Sequence, residues 1–170
     1  MLRPSRLAAV TLAVALVPAM AACSTGPNAP TTQQGPSGNG TNANQGAIQL
    51  RAITIVKGGA GLPIGTFVGT FVNTGSEPDV LRSVTVDDPK GGTTDITGSN
   101  AVASTLLLPP TTTTQVGYQG TTHIDVKGFT IAPSAYATVT FTFAKAGQIT
   151  IPVMAVQPVG IYAGLGPITS

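Results

Sequence analysis

The stretch ATVTFTF, residues 137–143, puts Val139, Phe141 and Phe143 on one face of an extended chain and Thr138, Thr140 and Thr142 on the other. A period of two is the mark of a half-buried β-strand, and it cannot be laid on a helix without scattering the apolar residues round the axis. SVTVD alternates in the same way through Val84 and Val86. FVGTFVN is apolar on both faces, Phe67 and Phe71 opposite Val68 and Val72, which suits a central strand. IQLRAITIV begins with Ile48 and Leu50 on one face and then changes phase to Ile53 and Ile55, which predicts a bulge or a strand that switches sheets. Further strands are expected over 93–97, 103–108, 112–118, 122–129 and 148–156, separated by NTGSEPD, DDPKGG, LPP, YQGT and KAGQ. Such Gly/Pro/Asx clusters are turn chemistry. No amphipathic helical stretch interrupts the series. The expected fold is all-β, an antiparallel sandwich of about seven to nine strands over residues 47–158. That is enough chain to bury one core without disulfides.

The N-terminus reads differently. Arg3 and Arg6 precede an uncharged apolar run, Leu7 to Val17, which Pro18 and small residues close. This is the pattern of an export signal, read over residues 1–22 and excluded from the fold. Met20-Ala21-Ala22-Cys23 resembles a bacterial lipobox, with Met20 where leucine is usual. The resemblance implies that Cys23 is diacylated (palmitate among the chains) and becomes the mature N-terminus. Cys23 is the only cysteine in the chain. An unpaired cysteine in an exported protein needs a role, and lipidation supplies one; the other reading is an ordinary secretory signal cut just after it. Residues 24–46 carry no charge, aromatic or large aliphatic, and with Cys23 are expected to form a disordered tether. Residues 159–170 are apolar but Gly-rich and are expected to form a C-terminal tail.

Removing the signal changes the charge argument. The six acids and six of the eight bases lie beyond residue 23, so the formal +2 comes from Arg3 and Arg6 and the mature chain is neutral. No basic stripe is present to neutralise a row of phosphates, so nucleic acid is not an expected partner. No catalytic residue is expected either. With Cys23 lipidated no thiol nucleophile remains, and there is no G-x-S-x-G elbow. KGGAGLPIG lacks the Lys-Ser/Thr ending of a phosphate loop and reads as a connection between strands. Asp87 and Asp88 read as turn residues.

Two segments resemble a known family. Phe71–Val86, FVNTGSEPDVLRSVTV, is similar to the N-x-G-x-x-x-D-x-L-x-x-V segment of PCuAC-type (DUF461) copper chaperones, and F-x-K-A-G-x-I-T-I-P-V within 139–154 resembles that family's closing hairpin. The resemblance covers about residues 48–156 and implies a cupredoxin/immunoglobulin-like sandwich. It also implies a Cu(I) site of two His and two Met, spaced as H-x(n)-M followed by H-x-M. Soft thioethers and imidazoles suit Cu(I). Here His123 matches the second histidine, but Asp125 stands where methionine is expected, and 95–108 contains neither His nor Met. Met154, the only methionine beyond the signal, reads as core. On THIDVKGF, Ile124 and Val126 face one way and His123, Asp125 and Lys127 the other, which reads as a solvated strand face; a relic divalent site at His123 and Asp125 is the other reading. The chain is therefore expected to be a lipid-anchored protein on the extracytoplasmic face of the cell membrane. Its copper-chaperone-like sandwich would be a non-catalytic binding or accessory module with no cofactor of its own, partnered by the membrane and by an envelope protein. The alternative is a copper metallochaperone using His123 with ligands from a partner.

Overall fold

A computed structural model describes residues 40–89, 92–118 and 121–167. The signal sequence, Cys23 and most of the expected tether lie outside the described residues. Eleven strands follow one another: β1 Thr41–Gln45, β2 Ile48–Lys57, β3 Ile64–Asn73, β4 Asp79–Asp87, β5 Thr93–Thr97, β6 Ala101–Val102, β7 Thr105–Leu108, β8 Thr112–Val116, β9 His123–Lys127, β10 Tyr136–Phe143 and β11 Gln148–Val156. The helical turns among the described residues are two short 3₁₀ segments, Gly59–Gly61 and Gly160–Tyr162.

The strands run in the order β5-β9-β3-β2-β11-β10-β4-β7-β6, so a single sheet folds over on itself. β1 adds to β2, and β8 adds to β3 beyond the end of β9. All pairings are antiparallel except that of β11 with β2, which is parallel and confined to Ala155–Ile55 and Val156–Val56. The alternation read from the sequence sets the faces. Val139, Phe141 and Phe143 are buried, as are Phe67 and Phe71 of the facing layer. Phe141 meets Phe67 and Phe71 edge to face, with ring centroids 5.6 and 5.8 Å apart, the geometry that the ring quadrupoles favour.

The phase change in β2 is a bulge. Register with β3 slips between Arg51 and Thr54, and Ala52 takes φ 54° there. Its N–H is satisfied by Asn42 Oδ1 at 2.8 Å. Because of the extra residue, Ile48, Leu50, Ile53 and Ile55 all reach the core with no exposed surface. Opposite the bulge is Gly69, at φ 154°, where a Cβ would lie 2.7 Å from Ile53 Cδ1. A larger residue would displace the Ile53 side chain and crowd the Arg51 and Ala52 carbonyls, 3.0 and 3.1 Å from that Cβ.

Four expectations change. The tether is shorter than 23–46, because Thr41–Gln45 is strand β1; its polar residues find partners in Pro152 and Ala146 carbonyls, on Thr41 Oγ1 and Gln45 Nε2. The strand expected over 103–108 is a hairpin, since Ala103 and Ser104 both take positive φ (47° and 60°) and turn β6 into β7. These two short additions take the count past nine. Met154 is not core: it is half-buried on the face of β11 opposite buried Val153 and Ala155, across from Tyr136.

Candidate functional site

The strands end in two sets of loops. One set joins β1 to β2, β3 to β4, β7 to β8 and β10 to β11; the other joins β2 to β3 and β9 to β10 and leads out of β11. The two segments that carry the family resemblance meet in the first set. Asn73 Nδ2 donates to the carbonyls of Glu77 and Leu108 at 2.9 and 3.0 Å, while its Oδ1 accepts from Gly75 N, which shapes the β3–β4 turn. Asp79, 5 % exposed, accepts from the backbone N–H groups of Val80, Lys145 and Ala146 at 2.7–2.9 Å. Lys145 closes the connection with a 2.8 Å ion pair to exposed Glu77. Burial works to raise the Asp79 carboxyl, but the N–H donors of Ala146, Lys145 and Val80, with the Lys145 ammonium, outweigh it and hold the group below the usual aspartate value. The hydrogen bond from Lys145 likewise holds Glu77 low. A pocket of about 310 Å³ opens beside these turns, lined by Gly46, Ile48, Asn73, Asp79 and Ala146 among others. The side chains of Asn73, Glu77, Asp79 and Lys145 along it are already committed to partners within these turns and the neighbouring strand, so the motif is a structural tie between two hairpins.

His123 lies elsewhere, half-way along the sandwich, where β8 and β9 meet end to end on the edge of β3. β8 pairs with Gly69–Asn73 and β9 with Ile64–Thr66. The chain between them returns on itself through Gly117 N to Thr122 O, 2.9 Å. The expected solvated face is not what forms. His123 is only 7 % exposed, and neither imidazole nitrogen has a hydrogen-bond partner among the described residues. The alternation of Ile124 and Val126 against Asp125 and Lys127 is correct, but β5 adds a second neighbour to β9, with Thr97 directly across from His123. Asp125 is half-buried and accepts a 2.5 Å hydrogen bond from Thr66 Oγ1. Asp95, opposite Asp125, pairs with Lys127 at 3.3 Å.

This arrangement does not fit a Cu(I) site. The position across from His123 is a threonine, and the position two residues on is a carboxylate already holding a hydroxyl; both are hard donors where a soft ion needs sulfur or imidazole. Among the described residues no group of three or more His, Cys, Asp or Glu could hold a metal ion. His123 and Asp125 are not brought to a common point with a third ligand.

No protein-family model matches the sequence, and no curated protein matches it. Solved structures do. The copper-bound PCuAC domain from PmoF2 matches at TM-score 0.61 and 21 % identity, covering 69 % of this chain and 99 % of that domain. The apo PCuAC domain from PmoF1 gives TM-score 0.61 at 22 % identity, over 69 % of this chain and 100 % of that one. The fold is that of a PCuAC domain. Within this fold, Asn73, Asp79 and the Lys145–Gly147 turn do architectural work, and they coincide with the two motif segments read from the sequence. The role of Asp79 as the group joining the two hairpins was not legible; the signal for it was an acid shortly after a turn and a Lys-Ala-Gly turn far along the chain, which only the fold brings together.

Proposed function

We propose that this protein is a lipid-anchored extracytoplasmic module in which the copper-chaperone-like PCuAC fold serves as a non-catalytic binding or accessory domain. The observation that carries the reading is the neighbourhood of His123. Thr97 lies across from it and Asp125 is bonded to Thr66, so the donors adjoining the family's second histidine are hard and the carboxylate is committed. The alternative, a metallochaperone that borrows ligands from a partner, is disfavoured by the burial of His123, which leaves only 7 % of it exposed to a partner's side chain.

Titration with Cu(I) under reducing conditions tests it. The purified protein should bind less than one equivalent against a competing chelator. His123→Leu should leave that unchanged while holding or raising stability, by up to about 1 kcal/mol, because it removes a buried polar group that has no hydrogen-bond partner among the described residues. One equivalent of copper, lost in His123→Leu, would restore the metallochaperone reading. Anchoring has its own test. Cys23→Ser should abolish acyl labelling and move the protein from the membrane to the soluble fraction. A wild type that takes up no palmitate would remove the lipobox from the argument.

A further inference from the structure

The loop set at the end of β2, opposite the Asp79 tie, carries most of the exposed apolar surface. Six large apolar side chains among the described residues are exposed, and four of them lie here: Leu62 (43 %), Tyr136 (46 %), Val159 (64 %) and Ile161 (76 %). Their proximity follows from the topology. Leu62 leads into β3 just after β2 ends at Lys57, Tyr136 opens β10, and Val159 and Ile161 follow the end of β11. Pro63 O binds the N–H groups of Gly128 and Phe129, and Gly166 lies against Lys57 O, which draws the loops and the tail together. The charges nearby are largely occupied. Lys57 Nζ is held by Ile131 O and lies over the Phe129 ring, Asp88 accepts from Thr130 and Ile131, and Lys127 pairs with Asp95. Asp87 is an exposed acid at this end.

The first strand opens towards the same end. β1 begins at Thr41, opposite Ile53, and runs away from Lys57 towards the Gln45–Ile48 turn. Its first residue, Thr41, is therefore at the Lys57 side of the strand. Seventeen residues separate Cys23 from Thr41, and a flexible chain of that length has a root-mean-square span of only about 25 Å. A domain held so close meets the bilayer at high effective concentration, and a few apolar side chains then suffice for contact. Tyrosine is a residue favoured at the membrane–water interface. We infer that this end of the sandwich, with Ile161 and Val159 foremost, docks on the lipid surface and leaves the Asp79 end facing outward. The inference rests on the anchoring reading and adds an orientation to it.

The absence of any other cysteine beyond the signal makes the test direct. The full lipidated protein, carrying Ile161→Cys or, at the opposite end, Ala144→Cys, is labelled with an environment-sensitive fluorophore and reconstituted in phosphatidylglycerol/phosphatidylethanolamine vesicles. The label at 161 should shift its emission to the blue and lose most of its intensity to lipid-borne quenchers, whereas the label at 144 should do neither. Protein that floats with the vesicles but gives identical, water-like signals at both positions overturns the docking alone. Protein that neither floats nor carries acyl chains overturns the anchoring, and the docking with it. A blue shift at 161 in native envelopes but not in protein-free vesicles would assign the surface to a protein partner and also overturn the inference.

Discussion

Truncation of Phe141 to alanine should cost about 3–5 kcal/mol of folding free energy, the range for removing a fully buried aromatic ring. The ring has no exposed surface and stands between Phe67 and Phe71 of the opposite layer, so both neighbours lose an edge-to-face partner together. Neither can follow it inward easily. Phe67 and Phe71 sit on β3, which is paired on one side to β2 and on the other to β8 and β9, and a shift of that strand would disturb all of these ladders. The cavity should therefore stay largely open, which puts the cost at the upper part of the range. Urea unfolding of the variant and the wild type measures it. A change within about 0.5 kcal/mol, as at an ordinary surface position, would mean that the layers do not meet at Phe141.

Asp79→Ala should be the next most damaging change, at about 3 kcal/mol, because it strands N–H donors that share one ionised acceptor. Val80 N, Lys145 N and Ala146 N all point at this carboxylate. The substitution also frees the β3–β4 turn from the β10–β11 turn, leaving the exposed Glu77–Lys145 pair as a weak link between them. A pH signature separates this from simple loss of packing. The folded-state carboxyl is held below its unfolded value, so the unfolded chain takes up its proton first as pH falls. Its contribution is then present in full above the unfolded value, the ordinary aspartate range near pH 4, and is lost as pH drops through the lower folded value. Wild-type stability should decline in that acid window. Asp79→Asn, which cannot ionise, should be less stable at neutral pH and should lose that part of the decline. Equal acid slopes for the two proteins would show that Asp79 does not hold the turns as a carboxylate.

Much of the fold was written in local pattern. The alternation through Thr138–Phe143 and the double-faced Phe67–Val72 each have a single extended solution, and the structure adopts it; the phase break before Ile53 left a bulge or a change of sheet open, and the structure has the bulge. Where sequence reading fell short, the deciding contact was distant. TNANQ looks like linker because only Thr41 among its residues favours a strand; it becomes one because Asn42 caps the bulge at Ala52 and Thr41 finds Pro152, more than a hundred residues on. The hairpin at Ala103-Ser104 carries no glycine or asparagine to announce its left-handed pair. His123 was read on the correct face but at the wrong depth. Periodicity tells which residues share a face; it does not tell that β5 will lie beside β9, or that the chain will double back between Gly117 and Thr122.

β1 also determines how the domain would bear a pull. Under the proposed tethering, drag from the surroundings would enter the fold at Thr41, and a pull along the strand would run away from the turn at Gly46. The Ala43–Leu50, Asn44–Gln49 and Gln45–Ile48 pairs, and the side-chain bonds from Thr41, Asn42 and Gln45, lie across that direction and share the load in shear. A strand loaded in this way resists as a group, whereas one peeled from its end gives way a bond at a time. Under the anchoring proposed above, the short polar strand would be a strain relief between the membrane and an aromatic core that tolerates little displacement.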